Sequence, residues 1–278
     1  MCAALHDEIV NTLQWYAEHG VDCCVEDEPV NRFEAIQELP IVVPPTKQTP
    51  KQTGQQVKQP EFLGTSDAYE EAIKSAKRAN TLEELQQELQ SFEGIAIKKT
   101  ATNLVFADGN PESDIMIIGE APGADEDRQG KPFVGVNGQI LDKMLACIDL
   151  NRVSDDPKKA VYISNILNWR PPGNRTPTPA EIELSLPFIE RHIQLIQPKI
   201  LVLSGSVAAK SLLNTGSSIS KLRKSKHEYT VITSELKKAA KPIVAIATYH
   251  PSHLLRTPAQ KKHAWNDILH LHKMRSIV

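Results

Sequence analysis

The sequence has few of the features that announce common ligand sites. Its four cysteines (Cys2, Cys23, Cys24 and Cys147) show no metal-ligand spacing, and the adjacent Cys23 and Cys24 are poorly placed to chelate or to join distant segments, so reduced thiols are expected. No G-x-G-x-x-G follows a strand-like run, which disfavours a dinucleotide site, and no Walker A pattern is present. No G-x-S-x-G elbow occurs either, leaving only a weak hydrolase reading through Ser204 or Ser206 with His250. No apolar run approaches the roughly 18 to 20 residues that span a bilayer. The stretch "MCAALHDEIVNTLQWYAEHG" carries acids where a secretion signal carries a basic flank. A cytoplasmic protein without membrane contact is expected, and nothing demands more than a monomer.

Positive charge is scarce at one end. Residues 1–40 hold nine acids against Arg32 alone, a balance of −8, which against the chain's −2 leaves +6 for residues 41–278. An excess of that size permits attraction to phosphate without requiring it. The 40% hydrophobic content is ordinary, so a sizeable core is available.

Leu5, Ile9, Leu13 and Tyr16 approximate a helical stripe, giving an acidic N-terminal helical segment over 1–41. Residues 42–64 contain a Pro-, Gln-, Lys- and Thr-rich tract and read as a disordered linker. A domain over 65–278 then begins with one helix from Thr65 and a second opened by Thr81, with Glu84 three residues on as a capping box. Four short apolar runs follow, "SDIMIIG", "AVYISNI", "KILVLSG" and "PIVAIATYH", separated by helical stretches. That alternation predicts an α/β fold: three α/β/α layers around a central, mainly parallel four-stranded sheet. Ligands of such sheets sit beyond the carboxyl ends of the strands. The residues after each strand therefore carry the functional expectation.

Those exits read "GEAPGADEDRQGKPFVG", "SNILNWRPPGNRTPTP", "SGSVAAKSLL" and "TYHPSHLLR". A carboxylate, an aromatic, an amide, a Ser-Gly-Ser turn and a histidine converge there. In this order and spacing the four blocks resemble the family 4 uracil-DNA glycosylases, from about residue 85 onward. The resemblance implies an enzyme that rotates uracil out of single- or double-stranded DNA and hydrolyses its N-glycosidic bond, leaving an abasic site for base excision repair. A catalytically weakened DNA- or uracil-binding protein is the alternative.

Carried onto this chain, the resemblance assigns Phe133 to stacking on the base and Asn165 to its Watson–Crick edge. His250 becomes a neutral donor to a uracil carbonyl oxygen, and Glu120 an electrostatic or water-positioning carboxylate. Gly119, Ala121 and Glu126 join the substrate pocket, with Asp127 open as a helper. DNA contacts fall to Arg170, Arg175, Ser204, Ser206, Ser252 and Arg256, with Leu254 as the apolar wedge.

Most family members hold a four-iron four-sulfur cluster through four cysteines. The matching positions here are Phe92, Ile95, Trp169 and Ser185, none of them a thiolate, so a cluster-free member with apolar packing at those places is expected. Residues 1–60 fall outside the resemblance. They are open to three readings: recruitment of a repair or replication partner, folding back onto the basic rim, or a passive tail.

Overall fold

The computed structural model describes residues 65–237 and 241–275. The expectations for the N-terminal helix and the linker lie outside that range. Six strands form one sheet: β1 (Asp108–Gly109), β2 (Ile115–Gly119), β3 (Tyr162–Asn165), β4 (Ile200–Ser204), β5 (Lys226–Tyr229) and β6 (Ile243–Thr248). Their order is β1-β3-β2-β4-β6-β5. The inner four are the expected strands, mutually parallel; β1 and β5 pair antiparallel at the two edges and make the sheet six-stranded rather than four-stranded. Both additions lack an apolar run: β1 has two residues, and "KHEY" is buried only at Tyr229.

Around the sheet lie α1 (Thr65–Arg78), α2 (Leu82–Ser91), α3 (Ala124–Gln129), α4 (Val136–Ala146), α5 (Pro179–Ile196), α6 (Ser206–Leu212), α7 (Ile219–Leu222), α8 (Pro251–Arg256) and α9 (Lys261–Arg275). Alternation along the buried strands explains the three layers. Met116 and Ile118 of β2 face one core with Leu85, Phe188, Ile193 and Ala209, while Ile115 and Ile117 face another with Leu141, Leu145, Ile268 and Leu271. Helices α1, α2, α5 and α6 thus cover one face, and α4 and α9 the other.

The Thr81 cap forms, its hydroxyl accepting from the Glu84 N–H at 3.2 Å. The Glu84 carboxylate, however, accepts from the Asn80 N–H at 2.6 Å, one residue before the position a capping box requires.

Chain direction around the sheet reverses at β2 and β4. From β2 the chain passes to β3 on one side, and from β4 it proceeds to β6 on the other. The connections leaving their carboxyl ends therefore run to opposite sides and open a crevice above the paired strands.

Candidate active site

That crevice holds a pocket of about 360 Å³ whose wall includes Glu120, Ala121, Phe133, Asn165, Arg175, His250, Ser252 and Arg256. Register brings the first pair together. Gly119 at the end of β2 sits opposite Asn165 at the end of β3, and the ladder continues outward through Ile166 N–H to Gly119 C=O (3.0 Å) and Leu167 N–H to Glu120 C=O (3.1 Å). Asn165 is thereby fixed on a buried strand end rather than on a loop.

Gly119 is a spacer. A Cβ there would lie 2.4 Å from Asn165 Oδ1 and 2.6 Å from two ring carbons of Phe133. Only glycine lets the amide and the ring approach this closely. The Phe133 ring is 4% exposed and lies 5.4 Å from the His250 ring, centroid to centroid, at 35°. It is both a core residue, packed beside Ile117 and Leu141, and a wall of the pocket.

His250 caps α8. Its Nδ1 accepts from the Ser252 N–H at 3.2 Å and lies 2.8 Å from the Ser252 hydroxyl. An acceptor Nδ1 leaves the proton of a neutral imidazole on Nε2. Burial, with Arg256 nearby, lowers the histidine pKa to about 4, so the ring is neutral at pH 7. Ser252 thus sets the tautomer of His250, a job distinct from the DNA contact expected of it. Glu120 is shifted the other way: burial raises its pKa, and Arg256 partly offsets the rise.

Two further acids of the β2–α4 segment, Glu126 and Asp127, act as backbone clips, while Asp125 pairs with Arg128. Glu126 accepts from the Gly123 N–H (3.1 Å), the Val134 N–H (3.1 Å) and the Gly135 N–H (3.0 Å). It also lines the pocket, and its carboxylate closes the loop on either side of Phe133. Asp127, 4% exposed, accepts from the N–H groups of Thr102 and Asn103 and is likewise structural.

Two expectations change. Leu254 is 1% exposed and packs with Tyr249 and Ala264, so it cannot leave the protein to wedge into DNA; its neighbour Leu255 is 44% exposed. Ser204 is buried with its hydroxyl unpartnered, which removes it from both a DNA contact and a nucleophile–histidine pair. Ser206 is half-buried at the start of α6 and is not among the residues lining the pocket.

Arg175 lines the pocket but is held by Glu181 through two bonds of 2.8 and 2.6 Å. Arg170 donates to Asn174 Oδ1 at 2.7 Å. Arg256 is exposed at the rim and acts electrostatically on both Glu120 and His250. Asn137, Asn174 and Thr176 also line the pocket and were not singled out from the sequence. Asn174 and Thr176 lie within the exit of β3 and were within reach of a reading centred on strand exits, whereas Asn137 lies two residues beyond the "PFVG" turn.

Phe92, Ile95 and Trp169 are all buried in the core on the α5 side of the sheet, with the Phe92 ring 5.3 Å from that of Phe188. Ser185 is buried with its hydroxyl unpartnered. Packed apolar side chains and one hydroxyl do not fit an iron–sulfur cluster, which needs thiolates. Among the described residues no group of three or more His, Cys, Asp or Glu is arranged to hold a metal ion, and Cys147 is exposed. Among the same residues no helix is long and apolar enough to cross a membrane.

Residues 106–269, which contain every side chain of the pocket, match the uracil DNA glycosylase superfamily. The type-4 uracil-DNA glycosylase of Archaeoglobus fulgidus is 35% identical over 193 residues, covering 67% of this chain and 89% of the relative. That of Sulfurisphaera tokodaii is 33% identical over 187 residues, 66% of this chain and 80% of the relative. The Thermotoga maritima protein of the same type is 32% identical over 180 residues, 64% and 85%. With this coverage, and with the exits of β2, β3 and β6 converging on one crevice, the chain belongs to the uracil-DNA glycosylase superfamily and, within it, to the type-4 family.

Proposed function

We propose that residues 65–278 form a monofunctional uracil-DNA glycosylase that takes uracil from single- and double-stranded DNA and leaves an abasic site, the entry to base excision repair. One observation carries the reading: Glu120, Phe133, Asn165 and His250 reach a single pocket from different segments of the chain. A flipped uracil lies against Phe133, a contact worth about 1–3 kcal/mol by analogy with base–aromatic stacking. The Asn165 amide, donor and acceptor together, pairs with O4 and N3–H, whereas cytosine presents the wrong order of groups.

In the reaction the C1′–N1 bond breaks and its electron pair leaves with uracil. The Nε2–H of His250 donates to a uracil carbonyl oxygen as charge gathers there, the kind of preorganised stabilisation an oxyanion hole supplies. Ionised Glu120 stabilises the positive sugar. The oxygen of a water then bonds to C1′ and its proton passes to solvent.

The enzyme is cluster-free: Phe92, Ile95 and Trp169 occupy the cluster positions with apolar packing. Arg170 and Arg256 reach phosphates, and Leu255 fills the gap left by the flipped base. The protein works as a cytoplasmic monomer, with residues 1–41 available to a repair or replication partner.

Incubation with a uracil-containing oligonucleotide in EDTA tests the reading. Alkali-labile strands are expected, and Asn165→Ala should abolish most of them. Tight binding without cleavage at high protein concentration would instead identify a binder, and full activity of Asn165→Ala would overturn the pocket assignment.

A further inference from the structure

Phe133 is one of the few non-glycine residues in the left-handed region of backbone space, at φ 53°. A bulky residue rests there only when its surroundings over-determine it. Three features do so. The ring lies where Gly119 lacks a Cβ. The Phe133 carbonyl oxygen lies only 1.7 Å from where a Cβ of Gly138 would stand, so α4 presses directly on the peptide. The third is Arg152, outside the pocket lining.

The Arg152 side chain is 10% exposed. Its Nη1 donates to Pro132 C=O at 3.0 Å and its Nη2 to Phe133 C=O at 2.9 Å. Nε and Nη2 donate to Asp142 Oδ1 at 2.9 and 2.8 Å, and Nη1 to Asp108 Oδ2 at 3.2 Å. One planar fork therefore joins two consecutive carbonyls of the strained turn to a carboxylate on α4 and another on the edge strand β1. A lysine, with a compact ammonium, cannot span all four acceptors.

We infer that Arg152 is the positioning residue for Phe133, holding the aromatic floor of the pocket at the height and tilt a uracil ring needs. It touches neither substrate nor reacting atoms. Asp108 and Asp142 anchor its charge, so the orientation of the floor is referred to the sheet edge and to α4 as well as to the Glu126 clip within the loop. Releasing the two carbonyls lets residues 132–134 relax toward ordinary backbone angles and tips the ring out of the base plane. The inference rests on the proposed stacking role of Phe133.

A double-mutant cycle tests it, with kcat and KM measured on a single-stranded uracil oligonucleotide for Arg152→Met, Phe133→Ala and the pair. Misplacing a substrate-positioning group by about an ångström costs on the order of 100-fold, so a 10- to 100-fold loss of kcat/KM is expected for Arg152→Met. In the Phe133→Ala background the same change should cost less than about 2-fold, because the ring through which Arg152 acts is gone. Inhibition by free uracil should weaken in each single variant and weaken no further in the pair.

Losses that multiply, or an Arg152→Met enzyme of full activity, overturn the inference while leaving the stacking role intact. Full activity of Phe133→Ala alone would instead remove the stacking role. Should Arg152→Met fold poorly, Arg152→Lys, which keeps the charge, carries the same cycle: a partial loss on the native background and none on Phe133→Ala is expected.

Discussion

His250 and Glu120 share a neighbour, Arg256, and are shifted in opposite directions by burial. The pH dependence follows from that pair. Glu120 has to be ionised, and its pKa stands above the ordinary 4.5. Activity is therefore present above that raised value and lost as pH falls through it. His250 gains a proton only near pH 4, so it stays a neutral donor across the limb. A kcat/KM profile should show one acid limb displaced upward from 4.5. Glu120→Gln should flatten that limb at a lower plateau, and Arg256→Gln should move it further up, since it removes the group that opposes burial. Truncation of His250 to Ala should cost about 10²–10³ in kcat, as removing one preorganised donor does elsewhere. A limb that persists unchanged in Glu120→Gln would assign it to another group.

The elements that build the pocket were legible in the sequence wherever burial on both faces forces a continuous apolar run, as in β2, β3, β4 and β6. The edges were not, because a two-residue β1 and the polar "KHEY" of β5 carry no periodic signal and exist through pairing with β3 and β6. Helix α8 shows the same limit at finer grain. In "PSHLLR" the two leucines are interchangeable by composition, and docking on Tyr249 and Ala264 decides that Leu254 turns in and Leu255 out. The two positions should therefore separate cleanly. Leu254→Ala leaves a cavity and should destabilise the fold by about 2–5 kcal/mol in denaturant unfolding. Leu255→Ala should leave stability within about 0.5 kcal/mol while slowing excision from duplex more than from single strands, since only a duplex has a gap to fill. Equal slowing on both substrates would remove Leu255 from the wedge. Glu126 and Asp127 were legible as acids but not as clips, because their partners are backbone N–H groups, whose positions only the folded loop reveals.

For the whole molecule the governing balance is acid stability. His192 is 2% exposed, stacked on Phe106 with ring centroids 4.4 Å apart and hydrogen-bonded at 2.9 Å to the Tyr162 hydroxyl. Burial lowers its pKa from 6.5 to about 3. Its contribution is fully present above pH 6.5 and shrinks as pH falls toward 3, because the unfolded chain takes up a proton that the native core refuses. His250 acts with the same sign over a narrower window, down to about pH 4. Glu120, Glu190 and Asp267, each raised by burial, act with the opposite sign, because the native state takes up their protons before the unfolded chain does. Taken alone, each histidine withdraws about 2 kcal/mol of stability between pH 7 and 5, and its share of the thermal unfolding temperature falls with it. His192→Gln supplies an acceptor oxygen to Tyr162 but cannot titrate. That variant should be less stable at pH 7, having lost the ring stacked on Phe106, yet lose distinctly less of its remaining stability on acidification. An unchanged slope between pH 7 and 5 would place the proton uptake elsewhere in the chain.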